Sequence, residues 1–174
     1  MTSLFEDVNP GSAVLSECGT YRYLLEREWS DGPCVAWLMC NPSTADAEVD
    51  DPTIRRCIGF AKRWGYGRLV VVNLFALRAT DPRALAKNTD PVGVLNDYWT
   101  IHAMRSAREC VCAWGCQQHL TTPKLRERPA MATTLVRMHT TATCLGYRKD
   151  GAPRHPLMLA YDTPREVFEP RRAA

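Results

Sequence analysis

Three short apolar runs, each closed by a polar or glycine turn, constrain this chain more than any other feature. Cys34-Val35-Ala36-Trp37-Leu38-Met39 runs out at Asn41, Leu69-Val70-Val71-Val72-Asn73-Leu74-Phe75 carries Asn73, and Cys110-Val111-Cys112-Ala113-Trp114 stops at Gly115. Their β-branched content and weak alternation fit strands covered on both faces. Cys144-Leu145 reads as a fourth, shorter strand. Helix signals lie between them. Asp51-Pro52 is an N-cap followed by proline at the first helical position, with Ile54, Cys57, Ile58, Ala61 and Trp64 on one face and Gly65 as the stop. Asp90-Pro91 repeats that start for a helix to about Arg108. A polar, irregular segment then leads to Pro129, which opens a helix through Leu135, Val136 and Met138.

Upstream, residues 13–29 read as a hairpin turning at Gly19. The order is therefore hairpin, then β-α-β-α-β-α-β. It predicts one α/β domain over 1–174, a three-layer α/β/α sandwich. Its central, mostly parallel sheet has about four strands plus the N-terminal hairpin, and the tail from about residue 162 is peripheral.

Composition narrows the function classes. A chain of 174 residues makes about one domain. No apolar run approaches the roughly 20 residues of a membrane span. The start, Met1-Thr2-Ser3-Leu4-Phe5-Glu6-Asp7, lacks signal-peptide character, so a cytoplasmic protein without membrane association is expected. The formal charge is +3, compatible with nucleic acid but too small to indicate it. Of the eight cysteines, Cys110, Cys112, Cys116 and Cys144 match no usual iron–sulfur spacing. The histidines form no His-Glu-x-x-His pair, and neither a phosphate loop of the Walker type nor a serine elbow occurs. No metal and no other cofactor is expected.

The strand exits carry the chemistry. In a parallel sheet the carboxyl ends share one edge, which is where open α/β sheets bind ligands. Asn41, in the turn Cys40-Asn41-Pro42-Ser43-Thr44-Ala45, would meet Asn73, the Trp114-Gly115 turn and His155 there. Ser43 adds a hydroxyl. Asp51 is accounted for as a helix cap, leaving Asp46 as the free carboxylate and candidate base.

These motifs, in this order, resemble those of the uracil-DNA glycosylase superfamily. Asn41-Pro42 is similar to its first turn, Val72-Asn73 to its Asn-ended strand, Trp114-Gly115 to its Trp-Gly element, and His155-Pro156 to part of its His-Pro-Ser-Pro element. The chain also resembles a bacterial and phage family of unknown function. That resemblance rests on Asn41-Pro42-Ser43-Thr44-Ala45, Asn73-Leu74-Phe75, Trp114-Gly115 and Arg154-His155-Pro156-Leu157.

The first resemblance implies a monomeric, metal-free DNA glycosylase acting on a flipped base. Asn41, His155 and Asp46 would be catalytic. Asn73, Ser43, Phe75, Trp114 and Arg78 would contact the base, and Arg148, Lys149 and Arg154 the DNA backbone. Met39 and Ser43 stand where the glycosylases carry glycine, and Leu157-Met158 where they carry Ser-Pro. A widened pocket for a modified pyrimidine follows as an expectation, and the phage association suggests a part in defence against phages with modified DNA. The alternatives are an enzyme processing free nucleotides or modified bases on the same fold, and a nucleic-acid-binding module without catalysis.

Overall fold

The computed structural model describes residues 11–115 and 117–171; Met1–Asp7 and Cys116, both used above, lie outside them. The strands are β1 (Ser12–Leu15), β2 (Arg22–Glu28), β3 (Cys34–Met39), β4 (Arg68–Asn73), β5 (Glu109–Cys112), β6 (Thr141–Cys144) and β7 (Glu166–Val167). Three α-helices, α1 (Pro52–Arg63), α2 (Asn96–Ser106) and α3 (Pro123–His139), complete the frame. Among the described residues the strands form one seven-stranded sheet in the order β1-β2-β4-β3-β5-β6-β7.

The four central strands are parallel, with β3 between β4 and β5 and β6 beyond β5. The other three joints, β1 to β2, β2 to β4 and β6 to β7, are antiparallel. The sheet is thus mixed, larger than the four-strand core expected and not mostly parallel, because the hairpin is not a separate attachment. β2 continues the sheet beside β4, and the tail contributes β7. A two-residue strand such as β7 has no periodicity by which to recognise it.

Alternation along β3 feeds two cores. Val35, Trp37 and Met39 pack with Ile54, Cys57, Ile58, Phe60 and Ala61 of α1. Ala36 and Leu38 pack with Ala103 and Met104 of α2 and with Leu125, Ala132 and Val136 of α3. Helices therefore cover both faces. The chain winds from β3 through α1 to β4 on one side of β3, then returns through α2 to β5 on the other. The carboxyl ends of β3 and β5 flank that reversal, the place where ligands lodge in open α/β sheets.

Local chemistry explains the helix boundaries. The Asp51 carboxylate accepts from the Ile54 N–H at 2.9 Å, with Pro52 beside it, so α1 starts where its sequence predicts. Asp90-Pro91 does not start α2. The Asp90 carboxylate accepts instead from the Gly93 N–H at 3.2 Å, and Gly93, at φ +83°, turns the chain before the helix begins at Asn96. Nor does Pro129 open α3. Thr122 caps it, Pro123 takes the first position, and Pro129 lies inside. An interior proline costs about 3 kcal/mol or more; the buried side chains Leu125, Ala132 and Val136 on both sides of it hold the helix to the sheet. Among the described residues, no helix is long and apolar enough to cross a membrane.

Candidate functional site

A pocket of about 430 Å³ opens where the strand order predicts. Met39 and Asn41 border it from the end of β3, Asn73 from the end of β4, and Trp114 and Gly115 from just beyond β5. Asp51, Thr53 and Ile54 bring the N-terminus of α1 to the same wall, and His155 and Arg148 close it from the loop after β6. Of the residues singled out from sequence, Asn41, Ser43, Asn73, Trp114, Arg148 and His155 come together here.

Hydrogen bonding sets what each presents. Asn41 donates from Nδ2 to the Ala79 carbonyl at 2.7 Å and the Pro42 carbonyl at 3.1 Å. Both neighbours are acceptors, so the amide orientation is chemically determined and Oδ1 is its remaining acceptor. Asn73, 2% exposed, accepts on Oδ1 from Arg22 Nη2 at 3.4 Å, which leaves its NH₂ as a donor. His155 caps the short 3-10 turn Pro156–Met158, and its Nδ1 accepts from the Leu157 N–H at 3.3 Å. The ring proton of the neutral imidazole must then sit on Nε2, making that nitrogen a donor. Burial lowers the His155 pKa from its ordinary 6.5, with the Asp51 carboxylate opposing the shift. The neutral form is therefore favoured near neutrality. Gly115, at φ +77°, supports the ring: a Cβ there would lie 3.1 Å from the His155 Cβ.

Sequence reasoning missed several members of the site, His119 among them, and two bear most on its chemistry. Arg22, at the start of β2, is 3% exposed yet lines the pocket. It donates from Nη1 to the Ala45 carbonyl at 2.8 Å, while its Nε has no acceptor among the described residues. Burial pulls its pKa down to about 10, with Asp51 the main opposing influence, so it remains charged at neutral pH. Asp51 is the other. Its role as a cap is real, but one oxygen serves the cap and the residue also lines the pocket. A carboxylate one position before the helix that follows the strand-exit loop was a usable signal; a lone arginine opening a hairpin strand was not.

Other expectations do not hold in place. Asp46 lies outside the pocket lining and clips its own loop, accepting from the Val49 N–H at 2.9 Å and the Glu48 N–H at 3.0 Å, bonds that lower its pKa. Phe75 is fully buried between the sheet and α2 and α3, so its ring cannot stack on a base. Arg78 ties its loop to the hairpin turn through the Gly19 carbonyl at 3.3 Å. Lys149 and Arg154 are exposed and outside the lining; Arg148 alone of the three basic residues reaches it.

The arrangement offers the neutral imidazole donor of His155, a second imidazole at His119, an amide acceptor, an amide donor, one carboxylate, the buried cation Arg22 and the exposed Arg148 around a single cavity. That set combines hydrogen-bond donors, acceptors and a carboxylate, the components of polar-ligand binding and of acid–base chemistry. Among the described residues no group of three or more His, Cys, Asp or Glu side chains is placed to hold a metal ion. No curated protein and no solved structure matches the chain. The family model described as "Protein of unknown function (DUF1643)" matches residues 22–157, from Arg22 to just past His155. This span covers most of the sequence and nearly every residue of the site, and the chain belongs to the DUF1643 family.

Proposed function

We propose that the protein is a DNA glycosylase that hydrolyses the N-glycosidic bond of a flipped pyrimidine nucleotide, leaving an abasic site. The observation that carries this reading is the convergence of Asn41, Asp51 and His155 on one cavity. The strand-exit resemblance to uracil-DNA glycosylases supports it as analogy.

In this mechanism the C1′–N bond breaks and its electron pair leaves on the base, building positive charge on the sugar. His155 Nε2–H donates to the departing base, the kind of pre-placed donor that stabilises developing negative charge. A water held by Asn41 Oδ1 adds its oxygen to C1′ and gives a proton to the Asp51 carboxylate, which takes the role first expected of Asp46. Asn73, with its carbonyl engaged by Arg22, offers NH₂ to an acceptor on the base edge. Arg148 contacts phosphate, which positions the strand without reading sequence. Flipping costs a few kcal/mol, which these contacts offset. The cavity lies within the range of about 300–1,000 Å³ typical of ligand sites, and the substrate proposed is a modified pyrimidine, as phage DNA carries.

The test is a substrate screen. DNA containing uracil, hydroxymethylated or glucosylated pyrimidines is incubated with the protein, then treated with alkali. Strand breaks are expected, reduced about 10²–10³-fold in His155→Ala and strongly in Asn41→Ala and Asp51→Asn, with Asp46→Asn unaffected. Activity on free nucleotides alone overturns the DNA reading in favour of a nucleotide-processing enzyme. Binding without any product, unchanged in these variants, leaves a nucleic-acid-binding module.

A further inference from the structure

The donors around the cavity outnumber what the protein supplies to meet them. Arg22 is charged, 3% exposed and forms no ion pair with any carboxylate among the described residues. Its two hydrogen-bond partners are a backbone carbonyl and, at 3.4 Å, a neutral amide. Among the described residues its Nε is buried without an acceptor, and so is the indole Nε1 of Trp114, which is 5% exposed and lines the same cavity. A buried guanidinium ordinarily carries a carboxylate or a full set of acceptors, because desolvating an unpaired charge is costly.

The N-terminus of α1, which lines the same cavity, adds a second source of positive potential. α1 has 12 residues, and its first turn, with Thr53 and Ile54, borders the cavity. Proline at the first helical position has no N–H, and Asp51 takes the Ile54 N–H, so the Thr53 N–H is the first-turn donor left over. Helix N-termini favour anions through such donors and the aligned peptide dipoles. Asp51 is the acidic group in this wall; its bond to the helix terminus partly offsets its repulsion of an incoming anion.

We infer that this part of the cavity is a phosphate subsite, in which Arg22 and the N-terminus of α1 hold a phosphate group of the ligand. A phosphate offers several acceptor oxygens at once, so it can meet a guanidinium and a backbone N–H together, which a single carbonyl does less well. The phosphate comes either from a free mononucleotide or from the strand beside a flipped nucleotide. The subsite stands on its own geometry and does not require the glycosidic chemistry above.

Calorimetry on the full chain tests it, first on the wild type and then on two variants. Inorganic phosphate, deoxycytidine, deoxycytidine 5′-monophosphate and a short single-stranded oligonucleotide are titrated in turn. The monophosphate or the oligonucleotide should bind about ten- to a hundredfold more tightly than the nucleoside, the range expected for charge-assisted bonds. Inorganic phosphate should compete with it. A preference for the monophosphate identifies a free nucleotide as the source, and one for the oligonucleotide identifies the strand. Arg22→Gln should erase the advantage of the phosphorylated ligand while circular dichroism reports an unchanged fold, and Arg22→Lys should restore part of it. Equal binding of nucleoside and nucleotide, or no competition by inorganic phosphate, overturns the subsite. Loss of glycosylase activity with phosphate competition intact would instead sink only the reaction proposed above.

Discussion

Arg22 and Arg27 sit five residues apart on one strand and are buried to nearly the same degree, at 3% and 2% exposed, yet their surroundings differ. Arg27 is saturated. Its Nε pairs with Asp50 at 2.9 Å, Nη1 donates to the Glu26 carbonyl at 2.8 Å, and Nη2 donates to the Asp46 carbonyl at 2.5 Å. Arg22 has one close carbonyl, one long amide contact and an orphan Nε. The first stitches β2 to the acidic loop after β3. The second borders a cavity without an ion-pair partner among the described residues. Burial alone therefore says little about a buried arginine's task; the completeness of its partner set says more.

The largest effect should fall on the ion-paired member. Arg27→Met leaves Asp50 without its cation, and breaking a buried pair costs about 3–5 kcal/mol. Asp50 is 21% exposed, so the lower end, about 3 kcal/mol, is expected in chemical denaturation. Arg22→Met strands no paired carboxylate and should cost about 1 kcal/mol, the value of a typical lost hydrogen bond. Comparable losses in both variants would break the comparison and make Arg22 a structural residue.

The contrast was invisible in sequence, for a physical reason. Alternation and helix caps report local geometry, and those signals placed β3, β4, β5 and α1 within a residue or two. They also brought Asn41, Asn73, Trp114 and His155 to one edge. Partner sets are nonlocal. Arg22 reaches Ala45 and Asn73, and Arg27 reaches Asp50, across gaps in the chain that no spacing rule spans. Phe75 failed as a base-stacking residue on the same ground. Being near a strand exit does not say which face a ring takes, and here it takes the core. Pro129 misled because proline opens helices far more often than it sits inside them, and only the tertiary burial of α3 overrides that preference.

A second contrast lies between Gly115 and the turn glycines Gly19 and Gly65. Gly19 and Gly65 also adopt positive φ, but a Cβ at either would meet nothing within 4 Å. At Gly115 it would press on the His155 Cβ at 3.1 Å. Gly19→Ala should therefore lose only the backbone term, about 1 kcal/mol, whereas Gly115→Ala should lose about 1–3 kcal/mol. Gly115→Ala should also displace the imidazole, read as a changed His155 ring signal in NMR. An unmoved His155 signal would show that Gly115 serves its turn alone and that the ring is held by its cap to Leu157.

The smallest expected effect is the pH response of His155, and it bears on the open side of the Arg22 comparison. Its folded pKa lies below the ordinary 6.5 because burial disfavours the charged ring. As pH falls below about 6.5, unfolded chains take up a proton that folded chains refuse, so the unfolded state binds more protons and stability must fall with acid. The loss begins near pH 6.5 and grows until the folded pKa is reached; above pH 6.5 the contribution is constant. His155→Gln should flatten that part of the stability–pH curve measured by denaturation. An anion lodged in the same cavity favours the charged ring and should raise the folded pKa. Inorganic phosphate should therefore weaken the acid sensitivity of the wild type, while Arg22→Gln removes phosphate's effect and keeps the sensitivity itself. If phosphate leaves the curve untouched in the wild type, Arg22 and His155 do not share a ligand, and the cavity divides into two unconnected halves.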